Sequence, residues 1–172
     1  MDDVVGAGAM DPTFVDQIVA EPGGKNVRRC FACGTCTASC PIREVTERYN
    51  PRRIIHMALL GLKQQVLSSD LIWICSTCYA CHERCPQDVR ITELMHAIKN
   101  IAVREGYIHP SVQTQGDLIR KHGRLDDITD FENQRRSDVG LPPIIERPED
   151  YRRILSATGL DAELQLSEEG PD

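Results

Sequence analysis

Apolar positions along this chain fall into short faces of helical period, separated by breakers. Phe14, Val15, Ile18 and Val19 share one side of a helix. Asp11 suits its N-cap, Pro12 its first position, and Pro22-Gly23-Gly24 ends it. Residues 1–10, with Gly6 and Gly8, read as small and flexible. Asn50 caps and Pro51 opens a second helix, Arg52 to Leu60, stopped by Gly61. Ser69 or Asp70 caps a short turn, Leu71 to Ile74. Ile91, Leu94, Met95, Ile98, Ile101 and Ala102 predict the clearest helix, about Thr92 to Glu105, with Gly106 at its end. Another runs from about Pro110 to His122 and ends at Gly123. Residues 124–147 read as polar and irregular, with Pro142-Pro143. Glu149 to Ala157 is helical again, ended by Gly159. The last twelve residues hold five acids and no base, so a frayed tail is expected. The pattern predicts a mainly α protein.

Composition narrows the picture. A length of 172 residues allows one domain, or a small one with extensions. Aromatics make up 5%, so the core is aliphatic and modest. No apolar run approaches the ~18 residues of a membrane span; the longest, Ile54 to Leu62, is interrupted by His56. The acidic start Met1-Asp2-Asp3 lacks the basic and apolar regions of a secretory leader, and a cytoplasmic protein is expected. Net charge is −6, unevenly spread. Residues 28–63 carry Arg28, Arg29, Arg43, Arg48, Arg52, Arg53 and Lys63 against Glu44 and Glu47, a local charge of +5. With little aromatic interleaving and an acidic whole, this patch suits nucleic acid poorly.

The strongest signal is a repeat. Cys30, Cys33, Cys36 and Cys40 precede Pro41, and Cys75, Cys78, Cys81 and Cys85 precede Pro86. Both runs read C-x2-C-x2-C-x3-C-P and together use all eight cysteines. This is the spacing with which bacterial-type ferredoxins hold [4Fe-4S] cubanes, each iron taking one soft thiolate. Three cysteines wrap one side of a cube, and in two-cluster ferredoxins the fourth ligates the other cluster. The expected assignment is crossed: Cys30, Cys33, Cys36 and Cys85 on cluster one, and Cys75, Cys78, Cys81 and Cys40 on cluster two. The nearby arginines would offset the negative charge of four-thiolate clusters. Gly34 would let the backbone approach closely. Structural zinc prefers paired C-x2–4-C knuckles, and a disulfide framework needs an oxidising compartment, so both fit less well.

A helix after each Cys-Pro, and a helical stretch between the runs, favour an α-helical ferredoxin over the β-hairpin type. The expectation is two cysteine-loop-plus-helix halves related by approximate two-fold symmetry. The organisation is an N-terminal extension with a short helix over 1–24, the dicluster ferredoxin domain over 25–115, and a C-terminal helical extension with an acidic tail over 116–172.

The stretch CFACGTCTASCP at 30–41, the run MALLGLKQQVLSSDLIWICSTCYACHERCP at 57–86, and IKNIAVREGY at 98–107 resemble the iron–sulfur C subunit of heterodisulfide reductase. The resemblance covers roughly residues 25–115 and extends well beyond the cysteines. It implies an α-helical ferredoxin with two [4Fe-4S] clusters, paired with a catalytic B subunit that carries CCG motifs. It also implies electrons from a flavin-containing A subunit, often linked to a hydrogenase or other dehydrogenase in an electron-bifurcating assembly. The family's best-known reaction reduces the mixed disulfide of coenzymes M and B. The chain has neither a CCG motif nor a Gly-rich dinucleotide fingerprint of its own. It is therefore expected to be part of an oxidoreductase complex without carrying a catalytic site.

Other candidates read as ordinary. His82, inside the second run, is a hydrogen-bonding or solvent-facing neighbour rather than a ligand. Tyr79 fills space, Trp73 packs in a core or interface, and Met57 and Met95 sit on apolar helix faces. His56, His96, His109 and His122 show no ligand spacing with one another. The competing classes are the iron–sulfur subunit of a succinate, fumarate or glycolate-oxidase type complex, and a zinc-stabilised interaction module. The first normally brings a plant-type C-x4-C-x2-C segment or CCG repeats, which this sequence lacks.

Overall fold

A computed structural model describes residues 6–164. All regular structure among them is helical: α1 (Phe14–Ala20), α2 (Thr35–Ala38), α3 (Pro41–Val45), α4 (Pro51–Leu59), α5 (Lys63–Leu67), α6 (Ala80–Glu83), α7 (Ile91–Arg104), α8 (Pro110–His122), α9 (Asp130–Asp138), α10 (Pro148–Thr158) and α11 (Leu160–Glu163), with 3-10 turns at Ala7–Ala9, Val27–Arg29 and Asp70–Ile72. The chain divides into two compact units, residues 1–107 and 108–172.

In the first unit α7 is the central beam. Its Leu94, Met95, Ile98, Ile101 and Ala102 are buried, and it packs against α1 and α5. Each large aliphatic side chain so buried contributes about 1.5–3 kcal/mol. Phe14 and Ile18 of α1, Ile54, Ile55 and Ala58 of α4, and Val66 and Leu67 of α5 complete an aliphatic core. Cys36 and Cys40 belong to the same cluster of buried residues. The cysteine loops are thus anchored from beneath rather than appended.

Local chemistry sets the boundaries. Asn50 accepts the Arg53 N–H at 3.0 Å and Pro51 occupies the first turn, so α4 starts as the sequence predicts. Gly61 lies at φ +75°, and a Cβ there would stand 2.4 Å from the Asp11 carbonyl oxygen. The close approach is held by the Asp11 N–H donating to the Gly61 carbonyl at 2.7 Å. Lys63 and Glu105 pair at 2.7 Å and join the start of α5 to the end of α7. Asp11 itself does not cap α1. Its carboxylate accepts from Thr13 N at 2.8 Å, one turn ahead of the helix. Ser69, not Asp70, caps the short turn before the second cysteine run.

The second unit is polar and built on caps. Gly123 and Gly159, both at positive φ, end α8 and α10 where expected. Residues 124–147 are not wholly irregular, because α9 lies within them. Thr129 and Glu132 form a capping box at its start, and Asn133 clamps the backbone of Ile144, accepting its N–H at 2.8 Å. The helix α5 is likewise unmarked in the sequence. The start of the expected acidic tail is the short helix α11, and residues 165–172 lie outside the described residues, as do residues 1–5 of the expected flexible start.

Candidate metal centre

The two cysteine runs fold alike. Each residue of the first has a counterpart 45 positions later. Ala32 and Gly34 flank Cys33 at φ +59° and +89°, and Thr77 and Tyr79 flank Cys78 at +55° and +62°. The one-turn helices α2 and α6 follow in the same register. Left-handed backbone at Ala, Thr and Tyr costs about 1–3 kcal/mol per residue and collects at functional sites. Alternation of hand turns successive N–H groups to one side, a concavity suited to an anion. At Gly34 a Cβ would come no closer than 3.8 Å to another protein atom, the Arg52 Nη1. Gly34 thus has the freedom for this hand, and Tyr79 adopts the same hand in the second run.

The halves differ after the proline. Pro41 opens α3 directly. After Pro86 the chain first passes through Asp88 and Arg90, both at positive φ, before α7 begins at Ile91. A helix follows each Cys-Pro, as the sequence predicts: at once after Pro41, and after Pro86 from Ile91, within a residue of the expected start at Thr92.

Two cavities collect the sulfurs. One is lined by Cys30, Cys33, Cys36 and Cys85, with Arg52 and Val89 among its walls. The other is lined by Cys40, Cys75, Cys78 and Cys81, with Tyr49 and Thr92. In each run the second cysteine, Cys33 or Cys78, is exposed, while Cys36 is buried and Cys81 partly so. Burial pushes the Cys81 thiol up to about 11 and raises that of Cys36. The Thr35 hydroxyl, 3.4 Å from Cys33 Sγ, lowers the Cys33 thiol together with the Thr35 N–H. The Val89 N–H donates to Cys85 Sγ at 3.5 Å. Four soft donors per cavity, with N–H and hydroxyl groups aimed at the sulfurs, suit a cubane anion held by thiolates.

The basic stretch divides its work. Arg52 lines the first cavity and donates to the Ala32 carbonyl at 3.5 Å, so one arginine meets the expectation of a charge beside the cysteines. Arg28 pairs with Asp16 at 2.6 Å and Arg29 with Asp88 at 3.9 Å, both at exposed positions. His82 stacks obliquely on Tyr79, with ring centroids 5.5 Å apart, and its Nδ1 is buried without a hydrogen-bond partner. His82 as a whole is half-buried. Tyr79 is 43% exposed and lines the second cavity. Trp73 lies under the Lys99 ammonium, 5.8 Å from its ring centroid. Met95 is core, as expected. His122 meets Asp127 and Glu146, at 3.6 and 3.2 Å, rather than another histidine.

Sequence reasoning missed Tyr49 and Thr92. Thr92 left a trace: it is a polar residue between Ile91 and Leu94 on a buried face. Tyr49, between Arg48 and Asn50, left none.

All-helical loops that bring eight cysteines into two groups of four define an α-helical dicluster ferredoxin. Residues 26–89 match the family model of the 4Fe-4S dicluster domain, and the chain binds two [4Fe-4S] clusters. The chain is 36% identical over 167 residues to the C subunit of the H(2):CoB-CoM heterodisulfide,ferredoxin reductase of Methanothermobacter thermautotrophicus, covering 93% of this chain and 89% of that protein. It is 38% identical over 142 residues to the C2 subunit of the H(2)/formate:CoB-CoM heterodisulfide,ferredoxin reductase of Methanococcus maripaludis, covering 78% and 76%. It is 34% identical over 159 residues to the iron-sulfur C subunit of the CoB--CoM heterodisulfide reductase of Methanopyrus kandleri, covering 87% and 82%. The chain belongs to the family of heterodisulfide reductase C subunits and is an electron-transfer protein of that family. Among its described residues no helix is long and apolar enough to cross a membrane.

Proposed function

We propose that the chain relays single electrons within a heterodisulfide reductase-type complex, from a flavin-containing A subunit to a CCG-motif B subunit, with a hydrogenase or dehydrogenase module as the ultimate donor. Its ligands are crossed: Cys30, Cys33, Cys36 and Cys85 hold one cubane, and Cys40, Cys75, Cys78 and Cys81 the other. The observation that carries this is the lining of the two cavities, where the last cysteine of each run sits with the first three of the other. A bound cubane supplies reversible one-electron transfer. The protein's part is to hold two such groups side by side and keep both in contact with partners. Exposure of Cys33 and Cys78, one in each cavity, supports a port at each end. Cysteines committed to cubanes suit a reducing, cytoplasmic setting.

The ligation is tested by serine variants of the anaerobically purified complex, followed by electron paramagnetic resonance. Cys85→Ser is expected to alter the same signal as Cys36→Ser, and Cys40→Ser the same signal as Cys78→Ser. If Cys85 groups with Cys78 instead, the crossing is wrong. Co-purification of a flavin protein and a CCG-motif protein tests the relay. A chain that purifies alone, with throughput unaffected by Cys36→Ser, would reject it.

A further inference from the structure

The two cavities are alike in sulfur and unlike in what surrounds it. Around Cys40, Cys75, Cys78 and Cys81 stand two buried hydroxyls. Tyr49 is 2% exposed and Thr92 is 1% exposed, the one buried polar residue of the core among the described residues. Thr92 Oγ1 lies 3.8 Å from Cys81 Sγ, and Tyr49 lines the same cavity as Cys75. Facing thiolates, both hydroxyls act as donors.

The other cavity has no fully buried hydroxyl among its lining residues. Its inner wall is aliphatic, from Val89 and Ile91. Thr37, beside Cys36, is half-buried and gives its hydroxyl to Asn50 Oδ1 at 2.8 Å. The hydroxyl that reaches a sulfur there, Thr35 on the exposed Cys33, is itself half-buried. Past the prolines the 45-residue register no longer holds: the second residue of α7, Thr92, lines the second cavity, and the second residue of α4, the charged Arg52, lines the first. The approximate symmetry of the cysteines is therefore broken in the groups that face their sulfurs.

Reduction adds negative charge to the cube and its thiolates. A hydroxyl donating to a thiolate gains more in the reduced state than in the oxidised one, and gains most where water is excluded. We infer that Tyr49 and Thr92 are positioning residues that raise the reduction potential of the cluster held by Cys40, Cys75, Cys78 and Cys81, making it a distinct station of the relay. The inference rests on the crossed ligation proposed above. A burial-only role for the two residues would leave the potential where it is.

The test is a redox titration of the complex carrying Tyr49→Phe, Thr92→Val or both, with Thr92→Ser as control. Cys33→Ser and Cys78→Ser first assign the two signals. At a fixed ambient potential, the reduced-to-oxidised ratio of the Cys78-dependent signal is expected to fall about two- to tenfold for each hydroxyl removed, the factor a single hydrogen bond represents. The Cys33-dependent signal stays in place, and Thr92→Ser restores the wild-type value. Iron–sulfur stretching frequencies in resonance Raman spectra shift in the two hydroxyl-deleted variants and not in Thr92→Ser. If neither potential moves, or the Cys33-dependent signal moves instead, the inference is overturned while the ligation stands. If Cys40→Ser alters the Cys33-dependent signal, the crossed ligation falls, while the shift of the Cys78-dependent signal in the Tyr49 and Thr92 variants still decides the inference. Should Tyr49→Phe lose its iron, the Thr92 pair decides the matter alone.

Discussion

Asn50 does two things with one oxygen. Its Oδ1 accepts the Arg53 N–H at 3.0 Å, capping α4, and the Thr37 hydroxyl at 2.8 Å, inside the first cysteine loop. The loop is thereby tied to a helix whose own Ile54, Ile55 and Ala58 are core. Asn50→Ala removes the cap, worth about 1 kcal/mol, and leaves the Thr37 hydroxyl without its acceptor, a further loss of about 1–3 kcal/mol. The expected outcome is faster release of iron under anaerobic chelation, mainly from the cluster held by the first loop. Asn50→Asp keeps the oxygen and is expected to release iron at nearly the wild-type rate. Equal rates for the two variants would show that the tie does not hold the loop. At this scale the cysteines were legible because ligand spacing is a property of adjacent residues. Tyr49 and Thr92 were not, since they reach the sulfurs only after α4 and α7 are packed.

Helices with an apolar stripe were readable almost to the residue, and α8 begins at Pro110 and ends at His122 as the pattern predicts. Those that escaped have other causes. α9 buries nothing, so no period marks it, yet Thr129, Glu132 and Asn133 satisfy its ends and flank. Its signal was the T-x-x-E capping box, which an apolar pattern cannot show. α5 spans five residues, too short for a face to repeat. The second unit is joined at one more polar point. Glu146 lies 3.2 Å from His122 Nδ1 at the end of α8 and accepts the Ile128 N–H at 3.3 Å. The His122 hydrogen bond, chiefly, holds the Glu146 carboxyl below its ordinary 4.5. A depressed carboxyl stabilises the fold above that ordinary value and ceases to do so as pH falls through its lowered one. Glu146→Gln is therefore expected to speed amide exchange at Ile128 at pH 7. The difference from wild type should shrink once the pH drops below the carboxylate range and both side chains are neutral. A difference of equal size at both ends would mean that shape, not charge, is what Glu146 contributes.

The whole molecule is coupled to its iron unevenly. Every cysteine lies in the first unit, and Cys36 and Cys40 pack in its aliphatic core. With 5% aromatics that core has few large residues to spare, so cluster binding and folding are linked there. Crossed ligation strengthens the link, because Cys40 and Cys85 each staple one run to the other's cluster. Residues 108–164 contain no cysteine and are held by caps, by the His122–Glu146 contact and by the packing of α10 on α8. Anaerobic removal of iron is therefore expected to release amide protection across residues 26–89, including α4, and to loosen the start of α7, where Thr92 faces Cys81. Protection in α8 and α10 should persist. Residue-resolved hydrogen exchange on the full chain, before and after chelation, reads both parts at once. If the first unit keeps its protection without iron, its aliphatic core is sufficient and the cubanes are passengers. If α8 and α10 lose protection as well, the second unit draws its stability from the first. Loss confined to residues 26–107 would establish that the same sulfurs that carry electrons also complete the core.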